Sequence, residues 1–353
     1  MVYYLLHVLY SFGLGEDGKK VFETMTKYFN KQSTFIPLSF LLGFYVSTVM
    51  SRWWNQYTSI PWTTGIAVLV TSSLNGADER SRKMRRTIMR YTCLSLAMVF
   101  RSLSPQVRNR FPNMSDLINA GLMNEQELSL IEEAEDELPG YPKNWLPIVW
   151  AAGIVTKAKE EKLIPHDFSV KLIIEKLDKF RSSCDDIMTY NSVSVPLVYT
   201  QVVTIAVYSH FLINLMGKQC IEGDGFKAGV VNLDLLPILM MLEFLFYMGW
   251  LKVAETLMNP FGEDDDDFEV NEMIDRNLQL SYQIVDKIRS QAPELTEDIF
   301  WNDLPKRANA SNDNKNRRQV GKKHEPKHDT ADYLTERDLF FKPSKSPSNL
   351  PAV

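Results

Sequence analysis

The sequence predicts an all-α membrane protein with a helical cytoplasmic half, and three observations carry that assignment. From 32 to 51 no residue is charged, and about twenty helical residues cross a hydrocarbon core of roughly 30 Å. Two later stretches, 191–217 and 229–251, are apolar enough and long enough to cross as well. The densest basic run, ERSRKMRRTIMR at 79–90, follows the first of these and marks its side as cytoplasmic. Whole-chain averages hide this pattern: 353 residues, 45% hydrophobic and 24% charged, describe a soluble protein of one or two domains. Charged extramembrane mass dilutes the spanning segments. A net charge of −5 argues against a nucleic-acid partner, which calls for a basic surface.

Residues 1–14 are apolar but too short to cross unaided, and they lack the basic n-region and A-x-A site of a signal peptide. They read as the back half of a spanning helix. GEDGKKVFETMTKYFNK then opens on glycine, is charged, and reads as a short external loop. In the first full span, Ile36, Phe40 and Phe44 recur every four residues and drift only about 40° per step, so they share one side of a helix. Ser39, Gly43 and Ser47 recur at the same spacing and form a row of small residues that lets another helix backbone approach. Arg52, Trp53 and Trp54 supply the charge and rings of a headgroup boundary. The bulky stripe is open to two readings, lipid contact or bundle core on one side and a hydrophobic pore constriction on the other.

The basic run sits on an amphipathic pattern with Met84, Ile88 and Tyr91 on one face. It reads as the solvated face of a cytoplasmic helix, although such a run can also bind anionic lipid or nucleic acid. From 91 to 190 the pattern is helical, broken at Ser104-Pro105, at Phe111-Pro112 and at DELPGYPKNWLP, with helix starts at Ser115 and at Pro165 to Asp167. WLPIVWAAGIV is cut short by Lys157 and Lys159, which favours a buried helix over a span. His210, near the end of the second span, reads as a satisfied interfacial residue. The third contains Asp234 and Glu243, and an intramembrane carboxylate belongs against neighbouring helices or an aqueous path. With the basic run inside, the chain starts inside and runs out, in, out and in, so the sequons at Asn113 and Asn309 are cytoplasmic and silent. After Asn302 the composition cannot bury enough apolar surface to fold. The three cysteines, Cys93, Cys184 and Cys220, are too few and scattered for a disulfide framework or zinc cluster.

NPFGEDDDDFE, at 259–269, contains five consecutive carboxylates that repel one another unless a cation compensates. Hard oxygen donors suit calcium at about six to eight coordination, but the run lacks the alternating spacing of an EF-hand loop, so composition alone favours a solvated acidic loop. No nucleophile and base pair, HExxH or glycine-rich phosphate loop points to an enzyme.

IPLSFLLGFYVSTVMSRWWNQY, PLVYTQVVTIAVYS and NPFGEDDDDFE, in that order, resemble the bestrophin family of anion channels, and the similarity runs from about Tyr3 to Asn302. The resemblance implies a multi-pass homopentamer around one central pore, in the plasma membrane, passing chloride and other small anions when calcium binds. It places Ile36, Phe40 and Phe44 in a narrow neck and Phe168 at a second, cytoplasmic aperture where a smaller aliphatic is usual. It assigns Ca2+ to the side chains of Asp264 and Asp267 and the carbonyls of Asn259 and Thr256, the last standing where glutamine is usual. Helix N-termini near Pro37 would favour a dehydrated anion. The family pattern also carries an amino-terminal arm, with a further carbonyl ligand, and the first half of the first helix ahead of Tyr3. This sequence begins without them, as a truncated gene model or an unusual isoform would, and a non-conducting auxiliary or assembly subunit is the alternative reading. The resulting partition is 1–62 for the first helix, loop and neck, 63–190 for the cytoplasmic helices, 191–258 for two spans, 259–304 for the calcium clasp and following helices, and 305–353 for a disordered tail.

Overall fold

The computed structural model describes residues 2–33, 35–221, 227–228, 231–232, 238–288, 291, 293–298 and 301. Asp234, the sequon at Asn309 and the tail at 305–353 lie outside the described residues. Residues 1–292 form one compact unit, and 293–353 a second, of which 293–298 and 301 are described, without helix or strand.

The described chain is predominantly helical. Helix α1 (Val2–Val8) continues through a π-helical turn at Leu9–Gly13. The segment expected as a loop is instead a helix, α2 (Glu16–Gln32). Its start is favoured by the extended Gly15 and by Glu16 and Asp17 at the positive end of the helix dipole. Its buried Phe22 stacks on Tyr10 at 5.0 Å between ring centroids, which gives the charged segment a face to dock. Helix α3 (Leu38–Ser59) begins later than the uncharged run, because Pro37 has no N–H to continue a helix through it. Ile36 therefore precedes the helix by two residues.

Short α4 (Thr64–Ser73) leads to α5 (Glu79–Leu103), whose N-cap Asp78 accepts from Ser81 N at 3.1 Å. Met84 and Ile88 are buried on it, as their spacing predicts. Ser104-Pro105 ends it and opens α6 (Pro105–Arg110), followed by the single turn α7 (Asp116–Asn119). Helix α8 (Glu125–Glu137) starts with a reciprocal capping box between Asn124 and Glu127. Helix α9 (Leu146–Glu160) buries Ile148, Ala151 and Val155, so WLPIVWAAGIV is a buried helix. Long α10 (Asp167–Ser192) starts where Pro165 to Asp167 predict and runs past 190, and α11 (Leu197–Gly217) begins after the Val193–Pro196 break rather than at 191. After a two-residue antiparallel pairing of Lys227–Ala228 with Val231–Asn232 come α12 (Ile238–Leu257) and α13 (Val270–Tyr282).

Two main cores result. One gathers α4, α5, α9, α10 and α13 around Ile88, Phe100, Val155 and Leu177, and the other joins α3, α11 and α12 through Leu42, Tyr45, Val207 and Leu251. Among the described helices α11 alone has the length and hydropathy of a crossing, with a mean hydropathy of 1.3. Helices α3 and α12 are as long, but α12 carries Glu243, Lys252 and Glu255, and α3 ends in the polar run after Met50. Glu243 sits between helices as expected: Oε1 lies 3.1 Å from His210 Nε2, and Oε2 accepts from Lys218 Nζ at 2.7 Å. His210 is 8% exposed and also meets Asn214 Nδ2 at 2.7 Å.

Candidate functional site

The two faces of α3 have opposite fates. Leu38, Leu42, Tyr45, Val46 and Val49 are buried against α11 and α12. Phe40 and Phe44, on the other side, are 65% and 57% exposed, and their rings meet edge to face at 4.7 Å. Ser39 and Ser47 are exposed too, and a Cβ added at Gly43 would meet nothing within 4 Å. The expectation that this small-residue row seats a neighbouring helix thus fails within the chain, because α11 and α12 already occupy the leucine and valine face. The same geometry removes the bundle-core reading of Phe40 and Phe44. What they touch lies outside the single chain.

At the base of α3, Arg52 Nη2 donates to the Tyr190 carbonyl and its guanidinium lies over the Tyr190 ring, 5.6 Å from the centroid. This ties α3 to the far end of α10. Phe168, the second residue of α10, is 67% exposed. At 1.5 Å per residue it stands about 33 Å from Tyr190 along one continuous helix.

The acidic run forms a tight loop after α12. Phe268 N donates to Pro260 O at 2.8 Å, Asp267 N to Asp264 O at 3.1 Å and Asp264 N to Asp267 Oδ2 at 2.8 Å. A Cβ at Gly262 would fall 2.6 Å from Asp267 Oδ2 and 3.4 Å from Asn259 O, so the loop can close this tightly only around glycine. Asp264, Asp267 and the Asn259 carbonyl are thereby brought together. Thr256 stands one turn earlier, near the end of α12. Burial, together with the charges of Asp264 and Asp266 and against the Asp264 N–H, pushes the Asp267 carboxyl above the ordinary carboxylate range. Oxygen-only donors around a carboxylate that resists its charge fit a hard cation. The set is partial, since no three His, Cys, Asp or Glu among the described residues form a metal cage.

Aromatic contacts that no sequence period announces join the two regions. Phe261 and Phe268 are 2% and 6% exposed and pack edge to face at 5.4 Å. Phe268 also lies 5.4 Å from Trp53 and 5.5 Å from Tyr57, both on α3. The only hint in the sequence is that a tryptophan pair and two phenylalanines bracket the candidate motifs.

The described chain is thus a helical bundle in which one helix carries both an exposed aromatic face and the packed acidic loop. A family model described as "Bestrophin, RFP-TM, chloride channel" matches residues 1–287. Mouse Bestrophin-2 is 43% identical over 308 residues, covering 87% of this chain and 60% of that protein. Human Bestrophin-1 is 41% identical over 305 residues, covering 86% and 51%. The crystal structure of a bacterial bestrophin homologue from Klebsiella pneumoniae superposes with a TM-score of 0.57 at 18% identity, over 71% of this chain and 85% of that one. The chain belongs to the bestrophin family, a family of chloride channels. It spans 60% or less of the length of these two curated relatives.

Proposed function

We propose that this chain is one subunit of a homopentameric, multi-pass anion channel in the plasma membrane, conducting chloride passively and opened by calcium. The carrying observation is the exposed Phe40–Phe44 face of α3, opposite a face fully used within the chain. Arranged around an axis, Ile36, Phe40 and Phe44 from each copy form a hydrophobic neck, which blocks ions by dewetting and needs no charge to do so. Phe168, at the other end of α10, forms the second aperture. Calcium is held by Asp264 and Asp267 with the carbonyls of Asn259 and Thr256, and bound there it supplies positive charge that compensates the acidic run. Phe268 then relays the ordering of the loop to Trp53 and Tyr57 on α3.

Chloride release from liposomes containing the purified protein, with mass photometry of the same sample, tests this reading. The expected result is a pentamer that releases chloride and retains potassium. Monomers only, or release no faster than from empty liposomes, contradicts it and favours an auxiliary subunit.

A further inference from the structure

The proposed pore leaves unused a cavity of about 310 Å3 in the other core, between α5, α8, α10 and the loop that joins α8 to α9. Its apolar wall is Met98 and Val99 of α5, Leu128 and Ile131 of α8, Met188 of α10, and Met114. Methionine is flexible and polarisable, and a wall rich in it suits an apolar guest of variable shape.

The polar groups are few and fixed. Lys143, with a side chain 4% exposed, spends its three donors on Glu135 Oε2 at 2.9 Å and on the carbonyls of Leu138 and Tyr141 at 2.6 Å each, which pins the loop. Asn144, the next residue, is 4% exposed and lines the cavity, and its Nδ2 is buried with no hydrogen-bond partner. Such an orphan donor costs stability unless something fills it. Arg101 lines the cavity as well. Its Nε and Nη2 donate to the Phe111 and Pro112 carbonyls, at 2.7 and 2.5 Å, which leaves Nη1 of the guanidinium for a ligand. Glu132 and Glu135, also on the wall, are exposed to water, and Glu135 is paired with Lys143.

We infer that this cavity is a binding site for a small apolar carboxylate, whose head accepts from Asn144 Nδ2 and the Arg101 guanidinium and whose body lies among the methionines. A volume near the lower end of the roughly 300 to 1,000 Å3 of small-molecule sites selects a compact ligand, not a long acyl chain. The inference is independent of anion conduction.

The test is isothermal titration of the full-length protein in nanodiscs with 4-phenylbutyrate, a soluble carboxylate of this class, and with 4-phenylbutan-1-ol as its uncharged analogue. Saturable binding of the acid is expected, at least tenfold tighter than that of the alcohol. Asn144→Leu should weaken it at least tenfold while keeping or raising the melting temperature, since the orphan donor is gone. Met188→Trp fills the cavity from α10, leaves both donors in place and should abolish binding. No saturable binding by wild type at millimolar acid overturns the inference and leaves a cavity that holds water. Wild-type affinity in both variants overturns it equally, by placing the carboxylate elsewhere.

Discussion

Asp267 is a partly buried carboxylate and Glu127 a buried one, and their surroundings drive them in opposite directions. Burial would raise Glu127 too, but hydrogen bonds from Arg90, Tyr91 and the Asn124 backbone outweigh it and hold the carboxyl below the ordinary range. Burial is likewise outweighed at Asp286, by Arg82 and Arg86. A carboxyl depressed in the folded state contributes stability above its unfolded value, and that stability disappears as pH falls through the depressed range. Acid melting of the wild type should therefore steepen below the ordinary carboxylate range. Glu127→Ala should flatten that dependence and lower stability by about 3 to 5 kcal/mol, because it strands Arg90, whose side chain is 18% exposed. Unchanged acid melting in Glu127→Ala would refute this assignment. For Asp267 the sign reverses, and the proposed calcium would relieve it. Replacing Asp264 and Asp267 with asparagine should abolish the rise in melting temperature on adding calcium, since a ligand that binds only the folded state stabilises it. A double variant that responds to calcium like wild type would show that these are not the ligands.

At the level of elements, α3 is the part on which the rest converges: α11 and α12 cover one face, α10 holds its base, and the acidic loop packs on Trp53 and Tyr57. Removing the Phe268 ring should uncouple loop from helix. Phe268→Ala should lower stability by about 3 to 5 kcal/mol, as truncation of a buried phenylalanine does. The milder Phe268→Leu should keep calcium-induced stabilisation while weakening calcium's effect on chloride release; equal effects on both readouts would argue against the relay. Much of this was legible in the sequence, because Phe40 and Phe44 repeat at a helical period and the acidic run is contiguous. Absence of charge alone would start α3 at 32, but the missing N–H of Pro37 sets its start at Leu38, in line with the helix N-terminus expected near Pro37. Helix α2 reads as a loop because its charge density masks the few residues that dock it, Phe22 and Thr26, and its close approach to Gly217 of α11. The Phe268–Trp53 contact joins residues distant in the chain, and no local pattern encodes such a pairing.

At the scale of the whole molecule, labour is divided between two cores, one holding α3, α11 and α12 and the other positioning α5, α10 and α13. The exposed aromatic face of α3 belongs to neither, which is why it is assigned to a pore shared between copies. Planar-bilayer recording of the purified Ile36→Ala, Phe40→Ala, Phe44→Ala triple variant with calcium chelated tests that assignment most directly. Phe40 and Phe44 are more than half-exposed in the single chain and Ile36 is partly exposed, so the variant should still fold and assemble. A dry ring made small should wet, so the account predicts current without calcium, still selective for anions because the truncation removes neither charge nor hydrogen-bond donor. Assembled pentamers that stay closed without calcium and open with it as wild type does would contradict the account and return Phe40 and Phe44 to lipid contact.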